Sequence, residues 1–155
     1  MELTFIVSST KSTIISLRKI REGKAGLSNH RKSLFNKVPQ SGDWAKVKKG
    51  SVTTKDLAYL SSYTNHEFAI LSGKNEDIIF HGTHYHCVFR DILYDLLKSK
   101  KLELMAHSHV DSGRLAPSQD DKEFLSKIGQ KESIIVSAID ANEIIYYNSD
   151  FFQIF

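Results

Sequence analysis

The chain has 155 residues, a formal net charge of +3, and 41% apolar and 25% charged residues. This length suits one domain, and the composition is that of a globular protein rather than a disordered or low-complexity one. No apolar run reaches the roughly 18 residues of a membrane-spanning helix, and the first residues lack the features of a secretory signal. We therefore expect a cytoplasmic protein with no membrane partner. Cys87 is the single cysteine, which excludes an internal disulfide.

The net charge combines two regions of opposite sign. Residues 1–50 carry 11 lysines and arginines against 3 acidic residues, whereas residues 51–155 carry 10 against 15. A basic region of this kind is typical of a surface for nucleic acid or another acidic partner. It also arises when a solvated face neutralises an acidic body, and we favour this second interpretation.

The first third of the chain has weak secondary-structure signals. Residues 3–7 and 12–17 are short runs of β-prone side chains, which predict a hairpin. Residues 18–43 are basic and weakly periodic, with helical turns expected near 29–36 before Pro39 and Gly42 interrupt the pattern. Alternation over 44–52 predicts a strand. We expect residues 1–52 to form a basic N-terminal extension packed on the same domain.

The signals are sharper from residue 53 onward. Thr53 and Thr54 predict the start of a helix that runs through residue 61. Two strands of a hairpin are expected over 67–73 and 77–81, and the apolar spacing from 88 to 97 predicts a helix. The remaining predicted elements are a strand over 102–106, a helix from Ser118, and a terminal strand pair over 133–139 and 143–147.

Strands and helices therefore alternate along the chain. Helices that pack on a central sheet bury its apolar faces. The predicted fold class is a single α/β domain with a central mixed β-sheet flanked by helices, and residues 53–155 are expected to form its body.

Two His-x-His triplets occur among the seven histidines, one at residues 84–86 and one at 107–109. A lone triplet arises by chance often enough that the residues after it must decide its meaning. His107 and His109 end a predicted strand, where the period of two points both imidazoles to one side and Ser108 to the other. The second triplet can therefore present two ligands to one cation.

A loop of turn residues follows the second triplet, and residues 118–121 then begin a helix. A carboxylate in the first turn of that helix would return to the end of the strand. Two neutral imidazoles and one carboxylate, with a position left for water, form the ligand set of a catalytic zinc rather than of a closed structural site. Such an ion lowers the pKa of its water to about 7 and polarises a substrate carbonyl.

This arrangement of residues resembles the JAB/MPN+ (JAMM) metalloproteases. Their motif has a glutamate on an earlier strand, then His-Ser/Thr-His, a short loop, serine and, after two more residues, aspartate. The matching residues here are Glu67, His107, Ser108, His109, Ser118 and Asp121. The resemblance covers about residues 53–148 and implies a JAB/MPN fold with a three-layer arrangement like that of cytidine deaminases.

Carried over residue by residue, the resemblance implies one Zn²⁺ per chain, bound by His107, His109 and Asp121. Glu67 would hold the zinc-bound water, act as general base, and then pass the proton to the leaving amine. Ser118 would donate a hydrogen bond to the oxyanion. A helix N-cap would by itself also account for a serine at this position.

Two departures from the family pattern affect the third ligand. The loop between His109 and Ser118 has eight residues where the family has seven, and Val110 stands where proline is common. A rigid count would make Asp120 the ligand. A one-residue insertion keeps both Ser118 and Asp121, and loops absorb such insertions at little cost, so we prefer Asp121.

His84, His86 and Cys87 offer a second set of zinc-ligand types. No fourth ligand stands in register with them in the sequence. A structural or surface role is therefore the preferred interpretation of these three residues.

The resemblance implies a zinc-dependent peptidase or isopeptidase of a small bacterial or mobile-element type. Its partner would be a protein substrate, with conjugates or precursors of ubiquitin-like proteins as one class. In one alternative, a RadC-like module binds nucleic acid or protein through basic residues 11–49, and its metal site is structural or vestigial. In another, the chain is an effector or toxin domain of a longer protein. Nucleic acid is the less favoured partner.

Overall fold

The computed structural model describes residues 13–111, 113–150 and 152–154. Its helices are α1 (described over residues 13–21), α2 (Asn29–Lys37), α3 (Thr54–Thr64), α4 (Asp91–Lys98) and α5 (Gln119–Ile128). Its strands are β1 (Trp44–Lys48), β2 (Phe68–Ser72), β3 (Glu76–His81), β4 (Glu103–His109), β5 (Ser133–Ser137), β6 (Ile144–Tyr147) and β7 (Phe152–Ile154). Within the described ranges, every helix is too short or too polar to span a bilayer.

The strands of the described residues form one sheet in the order β1-β3-β2-β4-β5-β6-β7. Neighbouring strands are antiparallel except β4 and β5, which are parallel. Parallel neighbours need a crossover connection, and α5 supplies it between β4 and β5. The chain is thus a single α/β domain with a mixed sheet, as the sequence predicts.

Helices cover both faces of the sheet and produce three layers. On one face α1, α2 and α3 bury side chains such as Leu17 and Leu57 against Phe68 of β2. On the other face α4 and α5 bury a second cluster, which includes Leu93 and Leu125. The removal of these apolar surfaces from water is the main stabilising contribution to the fold.

Local sequence signals set the boundaries of several elements as predicted. The Thr53 hydroxyl accepts a hydrogen bond from Asp56 N–H at 3.3 Å, and the Asp56 carboxylate accepts one from Thr53 N–H at 2.9 Å. This capping box satisfies two N–H groups at the start of α3. β2 and β3 form the expected hairpin, in which Gly73 N–H donates to the Glu76 carbonyl at 3.0 Å.

Several predicted elements differ from the structure. The strand predicted over 44–52 ends at Lys48, and the strand predicted over 102–106 extends over Glu103–His109. Residues 13–17, expected as a hairpin strand, are helical, because Leu17 and Ile20 occupy one face of α1 and are buried in the core. The partner strand predicted over 3–7 lies outside the described residues. The helix predicted over 88–97 begins only at Asp91, since Phe89 enters the core from the irregular segment before it.

The described part of the basic N-terminal third packs on the rest of the chain. β1 pairs with β3 at the edge of the sheet, with Trp44 opposite Phe80. Leu34 of α2 and Val47 of β1 belong to the same buried cluster as α3 and β2. Residues 13–52 therefore share the core of the domain.

His81, at the end of β3, is a buried histidine with two specific hydrogen-bond partners. Its Nδ1 lies 2.7 Å from the Val38 carbonyl oxygen and its Nε2 lies 2.8 Å from Nδ1 of His66. The carbonyl requires a proton on Nδ1, so Nε2 accepts from His66. The ring also stacks on Phe68, with 4.3 Å between centroids. Burial lowers the pKa of His81 below its ordinary value of 6.5 and favours this neutral form.

We expect His81 to reduce folding stability at acid pH. Below about pH 6.5 the unfolded chain protonates this histidine while the folded chain resists protonation. As the pH falls below about 6.5, the free energy of unfolding therefore decreases until the pH reaches the pKa of His81 in the folded chain. The total decrease is about 1.4 kcal/mol for each unit by which folding lowers this pKa. Urea unfolding between about pH 5 and pH 8 should show a steeper acid loss for the wild type than for His81→Phe. Equal slopes would contradict this assignment.

Candidate metal centre

Four of the five residues predicted to form the site meet at one end of the sheet. The Nε2 atoms of His107 and His109 are 3.2 Å apart. Both contact the Asp121 carboxylate, His107 at 3.2 Å and His109 at 3.0 Å. Ligand atoms of Glu67, His107 and His109 also lie within 4.8 Å of one another. We call Glu67, His107, His109 and Asp121 the candidate metal centre.

The pleat of β4 presents the two histidines as predicted. His107 and His109 point to the same side, whereas Ser108 is fully buried on the other side. The Ser108 hydroxyl lies 2.9 Å from Phe68 N–H, which donates to it, and donates to the Ser61 hydroxyl at 3.0 Å. Ser108 therefore ties the end of β4 to β2 beside Glu67 and to α3.

Replacement of Ser108 by alanine is expected to destabilise the fold. It leaves the buried N–H of Phe68 without its side-chain partner, which costs about 1–3 kcal/mol. Urea unfolding of Ser108→Ala measures this loss, and Ser126→Ala, at an exposed position of α5, is the matched control, expected to stay within about 0.5 kcal/mol of the wild type. A loss no larger than that of the control would show that this hydrogen bond is unimportant.

A β-bulge in β4 decides which face the histidines occupy. The register between β2 and β4 shifts at this point, and Met105 is the extra residue. In a regular strand Leu104 and His107, three residues apart, would face opposite sides of the sheet. With the bulge, both line one cavity on the face covered by α4 and α5.

Backbone hydrogen bonds hold Glu67 in place just before β2. Its N–H donates to the Thr83 carbonyl at 2.8 Å, and its carbonyl accepts from Gly82 N–H at 2.7 Å. In the β2–β4 register Ala69 lies opposite His107. Glu67, two residues before Ala69, therefore faces the same side of the sheet as the histidines.

Gly82 is a site residue that the sequence reasoning missed. A Cβ at this position would lie 2.8 Å from Cys87 Sγ and 2.9 Å from the Glu67 carbonyl oxygen. A glycine therefore lets the segment 82–87 run close to Glu67. The available signal was a glycine directly after a predicted strand, which often marks the close approach of another backbone.

The ionisable groups of the candidate metal centre shift one another's pKa values. Burial raises the pKa of Glu67 to about 8, while His107 acts in the opposite direction. Burial by itself would lower the pKa of His107, but the Asp121 carboxylate outweighs it and raises this pKa above 6.5. Burial by itself would raise the pKa of Asp121, yet His107 and His109 hold this pKa below its ordinary value. Asp121 thus supplies the negative charge that faces both imidazoles.

The N-terminus of α5 positions Asp121. The Ser118 hydroxyl accepts from Asp121 N–H at 3.0 Å, and Asp121 Oδ2 accepts from Ser118 N–H at 2.9 Å, which forms a capping box. The same Oδ2 atom contacts His109. Asp120 is exposed. Asp121, the aspartate preferred from the sequence, is therefore the one that reaches the histidines despite the extra residue in the loop. Ser118 lies at the edge of the site as the helix cap.

The other group of potential zinc ligands does not assemble among the described residues. Nδ1 of His84 lies 2.9 Å from the Asn65 carbonyl oxygen. His86 and Cys87 instead line the cavity at the candidate metal centre. Burial raises the pKa of the Cys87 thiol well above its ordinary value, and the two site carboxylates raise it further. This environment disfavours the thiolate that a zinc ligand requires.

Several basic side chains of the N-terminal third make contacts within the chain. Arg31 pairs with Asp56 at 2.9 Å, and its guanidinium lies 3.9 Å from the centre of the Tyr59 ring. Lys49 lies 3.7 Å from Asp77. These contacts favour the interpretation in which the basic third neutralises an acidic body.

Comparison with known proteins does not extend the description of the site. A scan against protein-family models, a search of curated proteins and a search of solved structures found no match. The resemblance to the JAB/MPN+ metalloproteases therefore stays a prediction from the motif, alongside the geometry of the candidate metal centre.

Proposed function

We propose that this protein is a zinc-dependent metallopeptidase or isopeptidase of the JAB/MPN+ type, which hydrolyses a peptide or isopeptide bond. The observation that carries the proposal is the convergence of Glu67, His107, His109 and Asp121. Glu67 precedes His107 by many residues and Asp121 lies beyond an intervening loop, yet their polar atoms meet at one end of the sheet. A merely structural role for each residue would not require this convergence.

The donor set fits one Zn²⁺ per chain. His107 and His109 offer imidazole nitrogens and Asp121 offers a carboxylate, all within 3.2 Å of one another. Three such ligands with a fourth position left for water are typical of catalytic zinc. When bound, the ion would lower the pKa of a water molecule and polarise a substrate carbonyl.

Glu67 is the proposed general base. It is buried and faces the same side of the sheet as the histidines, so it is shielded from bulk water. Burial favours the protonated form of Glu67, and the positive charge of a bound zinc ion would favour the ionised form. The ionised carboxylate would accept a proton from the attacking water and return it to the leaving amine. Its backbone is fixed by hydrogen bonds to residues 82 and 83, which keeps the carboxylate oriented.

Ser118 is the proposed hydrogen-bond donor to the oxyanion. Its oxygen accepts from Asp121 N–H, and a hydroxyl can still donate its own proton while it accepts. The residue also stands at the N-terminus of α5, where the helix dipole favours negative charge. Cap and donor are therefore compatible roles for this serine.

The substrate class follows from the family resemblance and not from the fold. We propose a protein substrate, with the bond between a ubiquitin-like protein and a lysine, or a ubiquitin-like precursor, as the first class to test. The contacts made by Arg31 and Lys49 within the chain give no support to nucleic acid as the partner.

The deciding assay uses zinc-loaded protein with tail-fused and lysine-linked ubiquitin-like substrates, together with unrelated unfolded proteins. We expect cleavage that stops when a chelator removes the metal and resumes when zinc is restored. Full activity in the presence of the chelator would refute the mechanism. If only the unfolded proteins were cleaved, the proposal of a peptidase would stand and the ubiquitin-like substrate class would be excluded.

A further inference from the structure

A cavity of about 430 Å³ opens directly beside the candidate metal centre. It lies between α4 and α5 on one face of the sheet, and two residues of the candidate metal centre, His107 and Asp121, form part of its wall. A group bound in this cavity would therefore be held next to the reacting bond. Its volume falls within the range of roughly 300–1,000 Å³ seen for binding pockets.

Much of the cavity wall is aromatic and apolar, although His86 and Cys87 also line it. Its lining includes Phe89, Tyr94, Leu104, Phe124 and Tyr147. The aromatic rings also contact one another and the candidate metal centre. The ring centroids of Phe124 and Phe89 are 5.5 Å apart, and Tyr147 meets His107 edge to face with 6.1 Å between ring centroids. These walls offer contact area for an apolar group.

The charged side chains of the lining, apart from the metal centre, belong to the exposed face of α5. They are Asp120, Glu123 and Lys127. Because these side chains are exposed, they lie at the mouth. The charged groups that reach the interior, His107 and Asp121, already contact each other at 3.2 Å. A charged substrate group in the interior would therefore lose its hydration without gaining an unpaired charged partner. The cavity therefore selects against a charged side chain.

We propose that this cavity is a specificity pocket that takes a large apolar side chain, aromatic or leucine-like, from the substrate residue next to the cleaved bond. The inference rests on the proposed function, which supplies the reaction. It concerns peptide bonds, such as that of a precursor, because the amine side of a lysine-linked isopeptide bond carries no large apolar side chain. A phenylalanine side chain placed here removes aromatic surface from water on both partners. A glycine in the same position would leave the apolar walls in contact with water.

The binding test uses the full-length zinc-loaded protein and two small probes. N-acetyl-phenylalanine amide and N-acetyl-glycine amide are titrated while backbone amide chemical shifts are recorded. We expect the phenylalanine probe to bind at least about tenfold more tightly and to shift the resonances of Leu104 and Phe124. Equal binding of the two probes would overturn the proposal.

Two variants test whether the probe binds in the cavity. The matched control is Ser126→Ala, at an exposed position of α5 outside the cavity. Phe124→Ala removes a wall, and Val88→Trp places a bulky ring at a lining position that is 43% exposed. Each variant should abolish the preference for phenylalanine, and the control should retain it. If Phe124→Ala fails to fold, Val88→Trp decides, because its site is on the surface. A preference that survives Val88→Trp would place the probe elsewhere and refute the pocket.

A cleavage test separates this inference from the proposed function. Zinc-loaded protein is given peptide pairs that carry phenylalanine or glycine on either side of the bond. Cleavage without a preference for phenylalanine would refute the pocket and keep the peptidase. Selective binding of the phenylalanine probe by a chain that neither retains zinc nor cleaves any peptide would refute the peptidase and keep the pocket.

Discussion

Replacement of Glu67 by glutamine is expected to lower the hydrolysis rate by a factor of about 10²–10⁴ while zinc stays bound. Glutamine has nearly the same size and keeps the backbone hydrogen bonds to residues 82 and 83, but it cannot accept and return a proton. The measurement is a single-turnover rate for the zinc-loaded variant, together with its zinc content.

The matched control is Glu76→Gln, an exposed glutamate at the start of β3, in the hairpin that follows Glu67. It should cleave at the wild-type rate. The mechanism would be wrong if Glu67→Gln retained full activity at an unchanged zinc content. A variant that lost both zinc and activity would instead make Glu67 a ligand rather than the base.

Loss of zinc from His107→Ala and from Asp121→Asn is the second large expected effect. The wild-type chain should retain about one zinc ion after dialysis, as three protein ligands of a catalytic site allow, and each variant should retain almost none. Elemental analysis of the dialysed proteins measures the zinc content. The amide introduced by Asp121→Asn keeps a carbonyl oxygen that can accept from Ser118 N–H, so the helix cap survives while the anionic ligand is lost.

Asp120→Asn is the control for the aspartate. Its neighbour in the sequence contacts both imidazoles, whereas Asp120 itself is exposed. The control should therefore bind zinc like the wild type. Zinc loss in Asp120→Asn with retention in Asp121→Asn would reverse the ligand assignment, and unchanged zinc in every variant would direct the search to His86 and Cys87.

Sequence patterns that act over a few residues predicted much of the fold. The capping boxes at Thr53 and Ser118 place the two partners three residues apart, so the starts of α3 and α5 are visible in the sequence. The hairpin of β2 and β3 likewise depends on a turn between two short apolar runs. In each case the hydrogen bonds that define the boundary lie within the segment that carries the pattern.

Helix α1 shows where local propensity fails. Residues 13–17 contain one threonine and two isoleucines, which favour a strand when taken alone. Leu17 and Ile20 gain more by packing on the sheet from one helix face, and that contact is with residues far along the chain. Tertiary packing therefore overrides the propensity of the segment.

The candidate metal centre was likewise predicted in part from the sequence and in part determined by the tertiary structure. Strand period by itself placed His107 and His109 on one side, and the motif singled out Glu67. The sequence favoured Asp121 over Asp120 but left both open, and the tertiary structure brings Asp121 to the histidines, because the path of the eight-residue loop decides which carboxylate returns to the strand.

The face that the histidines occupy, and the pocket beside them, were also decided by the tertiary structure. The bulge at Met105 arises from the pairing of β4 with β2, more than thirty residues earlier in the chain. It brings Leu104 and His107 to the same face, where α4 and α5 close the cavity around them. The sequence by itself determined which chemical groups are available and how neighbouring side chains alternate. Long-range strand pairing determined where those groups meet, since such pairing depends on contacts that no short segment contains.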